Sequence, residues 1–299
     1  MRRKVLLSRK KRGSRRRGRR LQTRRRRLQR GGSANTVVFS LTNNAGFGSV
    51  LGFLVQCYIY AKEKGHTFVV KEDGWNYTFK QGWHDYFKSL DDYDPSANYG
   101  HQENYRHSSV DGVPKYSLGQ FNEAMKEIYV LNNDMMARVE AFIDEIGGPF
   151  VSIYVRRGDK VSGGFKEMDA IDLGSLIKDT GIQSGNVFVM TDDYSVVEEV
   201  KKLLPAACKI FTMTEPASRG ADADVLRKNG HEERKKHGEE LVTSIEVFNR
   251  GEKGWADNRS NLGRLLKIRG LDKIVLYPAT DTSNNIPLDR EVDPPHKPF

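Results

Sequence analysis

From Phe150 onward, short apolar runs alternate with stretches of helical periodicity, and few folds accommodate that order. The runs at 150–155, 186–190, 208–212 and 273–277 predict strands, and the segments 169–179, 194–204, 236–250 and 260–268 predict helices. Strands that take turns with helices pair in parallel, with helices covering both faces of the sheet. The same pattern opens the ordered part of the chain. Residues 36–41 predict a strand, Asn43 to Ser49 a tight loop, about Val50 to Lys64 a helix, and 67–70 the next strand. Residues 71–117 are rich in aromatics and turn formers with weak periodicity, a type of stretch that often carries function. A helical region over 118–146, broken near Asn132-Asn133-Asp134, leads to Gly147-Gly148-Pro149, where the division between two α/β units is expected. The units are placed at 34–148 and 149–299.

Charge separates a third part. Residues 1–32 hold 17 Lys or Arg and no acidic residue, whereas the other 267 residues hold 32 basic and 39 acidic. A like-charge run of this kind cannot bury a core, so 1–33 is expected to be a disordered arginine-rich tail. Its expected partner is a polyanion, nucleic acid or an anionic membrane surface, bound through phosphate neutralisation. The tail contains no aromatic residue for base stacking, which argues against sequence-specific reading. Cys57 and Cys208 are the only cysteines and read as free thiols; a zinc site would need more ligands, and the scattered histidines form no ligand pair with either cysteine, so no metal is expected. No segment approaches the roughly 20 apolar residues of a membrane span. With no signal peptide evident, a cytoplasmic or nuclear location is expected.

Chemistry concentrates where the predicted strands end. Val151-Ser152-Ile153-Tyr154-Val155 runs into Arg156-Arg157-Gly158-Asp159-Lys160. In open parallel sheets ligands bind beyond the carboxyl ends of strands, and arginine forks placed there grip phosphate oxygens. Val187-Phe188-Val189-Met190 likewise runs into Thr191-Asp192-Asp193, and Ser260 stands at the start of a predicted helix, where backbone N–H groups favour anions. Each feature also has a purely structural explanation: a surface ion-pair cluster, a turn with a helix cap, an ordinary N-cap. Their occurrence in order along one predicted sheet edge favours a shared site. Asp222-Ala223-Asp224 has metal-motif spacing but lies in a polar loop.

These residues resemble a family. Val155 to Val161 looks like the His-Val-Arg-Arg-Thr-Asp-Lys-Val motif of the α1,6-fucosyltransferases. Thr191-Asp192-Asp193 resembles their second motif, and Arg259-Ser260-Asn261-Leu262-Gly263-Arg264 their Ser-Ser-x-x-x-Arg motif. Gly46-Phe47-Gly48 is similar to the Gly-Tyr-Gly loop, and Gly74-Trp75-Asn76-Tyr77 with Gly82-Trp83 to the Trp-x-Tyr…Gly-Gly-Trp stretch. The similarity runs over roughly 36–270.

The resemblance implies an α/β fold of GT-B type, two Rossmann-like domains facing a cleft, and transfer of fucose from GDP-fucose to a glycan hydroxyl. It implies an inverting displacement in which arginine replaces a metal ion, so no cofactor is required. Arg156 inherits binding of the donor β-phosphate and Arg157 assists. Ser260 and Gly46, Phe47 and Gly48 would contact the diphosphate, and Tyr77 would line the pocket. Asp159, Lys160, Asp192 and Asp193 match polar positions of the active-site network. Four positions depart from the family. Tyr154 replaces its histidine. Ser244 aligns with its guanine-reading aspartate, with Glu246 two residues on. Gly164 aligns with its catalytic glutamate, leaving Glu167, Asp169 or Asp159 as the base. The apolar strand before the Ser motif is replaced by Gly251-Glu252-Lys253-Gly254-Trp255-Ala256, so no strand is expected there. Two other functions fit the sequence. One is transfer of another nucleotide sugar. The other is non-catalytic binding of glycan or nucleotide, with nucleic acid held by the basic tail.

Overall fold

The computed structural model describes residues 35–43, 45–107, 109–158, 161, 169–220 and 228–278. The arginine-rich segment and Asp159, Lys160, Glu167, Asp222 and Asp224 lie outside the described residues.

The first sheet contains β1 (Thr36–Leu41), β2 (Thr67–Glu72), β3 (Asp91–Asp92) and β4 (Gln102–Arg106), all parallel, in the order β3-β2-β1-β4. Val37, Val38, Phe39 and Leu41 are buried, as expected of a central parallel strand covered on both faces. Helix α1 (Phe47–Lys64) crosses from β1 to β2 and ends on Gly65, whose φ of 67° is left-handed and favours glycine. It starts three residues earlier than the sequence predicts, so Phe47 to Ser49 form its first turn. Strands β3 and β4 lie within the stretch predicted to be irregular. Helices α2 (Leu118–Ile128) and α3 (Asn133–Ile146) follow. Ser117 and Gln120 close a capping box at the start of α2, and the Asn132 side chain accepts the Met135 N–H at the start of α3.

The second sheet is built from β5 (Phe150–Val155), β6 (Gly185–Thr191), β7 (Cys208–Phe211), β8 (Gly254–Asp257) and β9 (Ile274–Tyr277), again all parallel, in the order β7-β6-β5-β8-β9. Its helices are α4 (Leu173–Thr180), α5 (Tyr194–Leu203), α6 (His231–Arg250) and α7 (Asn261–Gly270). Strand β8 corrects the sequence reading, which placed no strand over 251–256. Gly254, Trp255 and Ala256 pair in register with Ser152, Ile153 and Tyr154, and all four β8 residues are buried.

One apolar core runs through both sheets. Phe39, Leu54, Trp83 and Phe121 are continuous in it with Tyr154, Phe188, Phe248 and Leu266. Helix α2 packs on α1 and α7, and the Asn122 side chain donates to the Ile268 carbonyl at 2.6 Å. Helix α3 packs on α6, with Phe142 edge-on to Phe188 at 5.6 Å. Cys57 is buried, Cys208 is partly exposed, and both are free. Among the described residues no helix is long and apolar enough to cross a membrane.

Candidate active site

The carboxyl ends of β5 and β6 lie side by side, Val155 beside Thr191, so the polar residues that follow each strand meet. Asp192 is the organising group. One carboxylate oxygen accepts from the Arg156 guanidinium at 2.5 Å, and the other accepts the Arg157 backbone N–H at 2.9 Å. A single side chain thus fixes both the arginine fork and the chain turn that presents it, in a part-buried setting where charge-assisted bonds are strong. The Arg157 guanidinium turns the other way, onto α5, reaching Glu199 at 3.0 Å and Ser195 at 3.4 Å. Asp193 caps α5 by accepting the Ser195 N–H at 2.9 Å. The paired aspartates therefore divide: Asp192 positions the arginines and Asp193 starts a helix.

Close packing supports the turn. Gly158 has φ 52°, and a Cβ on Gly220 would fall 2.2 Å from the Gly158 Cα, so the two glycines let the 214–220 loop lie directly on it. The Gly220 N–H donates to the Asp192 carbonyl at 2.9 Å.

Two helix N-termini converge beside this cluster. Ser260 caps α7, its hydroxyl accepting the Gly263 N–H at 3.1 Å and lying 2.9 Å from the Tyr154 phenol. Burial pushes the Tyr154 phenol pKa up, partly opposed by the nearby Arg156 charge. The start of α1 abuts the start of α7: a Cβ on Gly48 would lie 2.8 Å from the Leu262 nitrogen. A glycine is required there for the two helix starts to approach. Tyr77 completes this corner. Its hydroxyl accepts the Phe47 N–H at 3.3 Å, and its ring packs edge-on to Phe47 at 5.4 Å. Two helix starts next to an oriented arginine form a site suited to a polyanionic group.

The structure thus brings together Gly46, Phe47, Gly48, Tyr77, Tyr154, Arg156, Asp192 and Ser260. Ser244 and Glu246 lie on α6, both largely buried. The Glu246 carboxylate is bound by Arg250 at 3.1 Å and by Arg269. Asp169 offers its main-chain carbonyl to Arg259 at 2.5 Å, and Arg259 in turn grips Asp257 at 2.8 and 2.9 Å. Among the described residues no group of three or more His, Cys, Asp or Glu could hold a metal ion.

Sequence reasoning missed His237 on α6. Its ring stacks on Tyr77 at 5.9 Å with an interplanar angle of 24°, close enough to Arg156 and Asp192 to feel both charges. One signal was present: His237 and Ser244 are seven residues apart, which puts them on one helix face about 10 Å apart.

Two parallel sheets of Rossmann type, meeting where strand ends face helix starts, define the GT-B fold of fucosyltransferases. Solved structures of that kind are similar over most of this chain's length. NodZ α1,6-fucosyltransferase soaked with GDP-fucose matches at 15% identity and a TM-score of 0.55, over 79% of this chain and 92% of that one. Fucosyltransferase NodZ from Bradyrhizobium matches at 14% and 0.54, over 78% and 92%. A mutant of Arabidopsis thaliana FUT1 in complex with GDP matches at 10% and 0.53, over 87% and 76%. At the level of sequence, no family model and no curated protein matches the chain.

Proposed function

We propose that this chain is a glycosyltransferase that takes fucose from GDP-fucose and passes it, with inversion, to a hydroxyl of a glycan acceptor. The observation that carries this is Arg156, held by Asp192 at the end of β5 where the starts of α1 and α7 meet. Departure of GDP develops negative charge on the β-phosphate. An arginine already oriented stabilises that charge without reorganising, and the backbone N–H groups at the helix starts share it. Arg156 is the principal β-phosphate ligand in this scheme. Arg157 acts through its backbone and its tie to α5, Ser260 and the Gly46–Gly48 turn contact the diphosphate, and Tyr77 walls the pocket. Ser244, buried on α6, is the candidate contact for the base. The proton of the acceptor hydroxyl passes to a carboxylate, for which Asp159, Glu167 and Asp169 are the candidates. The division into units at 34–148 and 149–299 and a polyanion-binding role for residues 1–32 belong to the same proposal.

The test is ligand-induced thermal stabilisation of the full chain by GDP, GDP-fucose, GDP-mannose and UDP-glucose. A ligand at a hundred times its Kd adds about 2.7 kcal/mol, a rise of several degrees in Tm for a chain of this size. Stabilisation by GDP and GDP-fucose that Arg156→Ala abolishes is the expected result. A response to UDP-glucose alone would replace fucose by another sugar, and no response to any nucleotide in folded protein would discard the transferase.

A further inference from the structure

The GDP-fucose site has a histidine that the family motifs do not account for, and its placement is specific. Helix α6 presses against the aromatic segment between β2 and β3. A Cβ on Gly238 would fall 1.8 Å from the Tyr86 hydroxyl, so α6 can approach this closely only because position 238 is glycine. Tyr86 also donates to the Tyr77 carbonyl, which fixes the ring that His237 stacks on. In the turns of α6 before Gly238, His231 meets Phe79 edge-on at 6.2 Å and Lys235 lies 5.8 Å above the same ring. His237 is therefore stacked on Tyr77 within electrostatic reach of the Arg156–Asp192 pair.

We propose that His237 is a donor-binding residue of this site, its imidazole hydrogen-bonding the β-phosphate beside Arg156 and taking up a proton as the diphosphate binds. This rests on the GDP-fucose reading and adds a ligand and a pH response to it. In the free protein, burial and the Arg156 charge hold the ring below the usual histidine range, while Asp192 pulls weakly the other way. Arg156, just after β5, and Asp192, just after β6, act on the ring through their charges, and the Tyr77 ring stacks on it. On α6 itself Glu233, Arg234, Glu240 and Leu241 are its helical neighbours. A bound diphosphate cancels the repulsion from Arg156, so protonation becomes favourable in the complex. The sign follows: the pKa is higher bound than free, so affinity rises as pH falls through the bound value. It levels off below the free value, with at most about tenfold gained per pH unit between them.

The test is calorimetric binding of GDP-fucose to the full chain from pH 8 to pH 6, in buffers of different ionisation enthalpy. GDP-fucose serves because its diphosphate carries no group that titrates near neutrality. Wild type should bind more tightly towards pH 6 with net proton uptake. His237→Phe keeps an aromatic ring against Tyr77 but removes the nitrogens. It should bind about tenfold more weakly at pH 6.5, as expected for loss of a charge-assisted hydrogen bond, with no uptake and a flat pH profile. Arg156→Ala separates the two levels of the proposal. If His237→Phe keeps wild-type affinity and pH slope while Arg156→Ala abolishes binding, the role of His237 is overturned and the nucleotide site stands. If wild type binds no GDP-fucose at any pH, both fall. Should His237→Phe not fold, His237→Gln is judged by the same criteria.

Discussion

Ser260 serves two structures at once. Its hydroxyl caps α7 and pairs with the buried phenol of Tyr154. Removing a cap costs about 1 kcal/mol, and orphaning a buried hydroxyl costs about 1–3 kcal/mol more. Ser260→Ala is therefore expected to destabilise the fold by roughly 2–3 kcal/mol in denaturant titration. Tyr154→Phe alone should cost about 1 kcal/mol, since Ser260 keeps its cap. Because the two share one bond, the double variant should lose less than the sum of the singles, and strict additivity would show that the pair is not coupled. The sequence placed Arg156, Asp192 and Ser260 at one sheet edge because each directly follows an apolar strand or opens a helix, features local to the chain. It could not tell which aspartate of Asp192-Asp193 binds arginine and which caps, because that depends on the neighbouring strand. Glu246 was a candidate for nucleotide recognition from its place in the alignment. Its ion pairs with Arg250 and Arg269, the latter coming from a different helix, leave no trace in local sequence.

Strand β8 was invisible for a specific reason. It is four residues long and begins with glycine, which usually weakens a strand. The structure explains that glycine: a Cβ there would lie 2.8 Å from Ile274 and 2.9 Å from Phe248. β4, Gln102-Glu103-Asn104-Tyr105-Arg106, is a mostly polar edge strand with no alternation to read. The long, strongly apolar elements β1, α1, β5 and β6 were legible, since burial on both faces writes itself into composition. Helix α7 supplies a sharp test of close packing. A Cβ on Gly263 would meet the Asp257 carbonyl oxygen at 2.0 Å, a backbone atom that cannot step aside. Gly263→Ala should destabilise by about 3 kcal/mol or more. Gly119 in α2 has only the Ser117 hydroxyl, at 4.0 Å, near its would-be Cβ, so Gly119→Ala should stabilise by about 0.5 kcal/mol. Melting curves of the two variants should move in opposite directions, and a matching loss in both would refute the packing explanation for Gly263.

The continuous core joining both sheets has consequences for the protein as a unit. Units that share this much apolar packing unfold together, so scanning calorimetry is expected to give a single cooperative transition. Two resolved transitions would mean that the contacts of α2 with α7 and of α3 with α6 are weaker than their packing implies. Acid should destabilise the unliganded protein earlier than its carboxylates alone require. Burial holds both His107 and His237 below the usual histidine value of 6.5. Above that pH both are neutral folded or unfolded, and contribute nothing. As pH falls below it, the unfolded chain takes up protons first and stability is lost until the folded values are passed. Tm should therefore fall between pH 7 and pH 5.5, and His237→Phe should reduce the fall. The meeting of Gly48 and Leu262 brings together the two ends of the described chain, and it does so at the place where the nucleotide is proposed to sit. A ligand held across that seam would work as a chemical chaperone. Variants that assemble poorly should accumulate to higher soluble yield when GDP is supplied during refolding, whichever half of the chain carries the lesion.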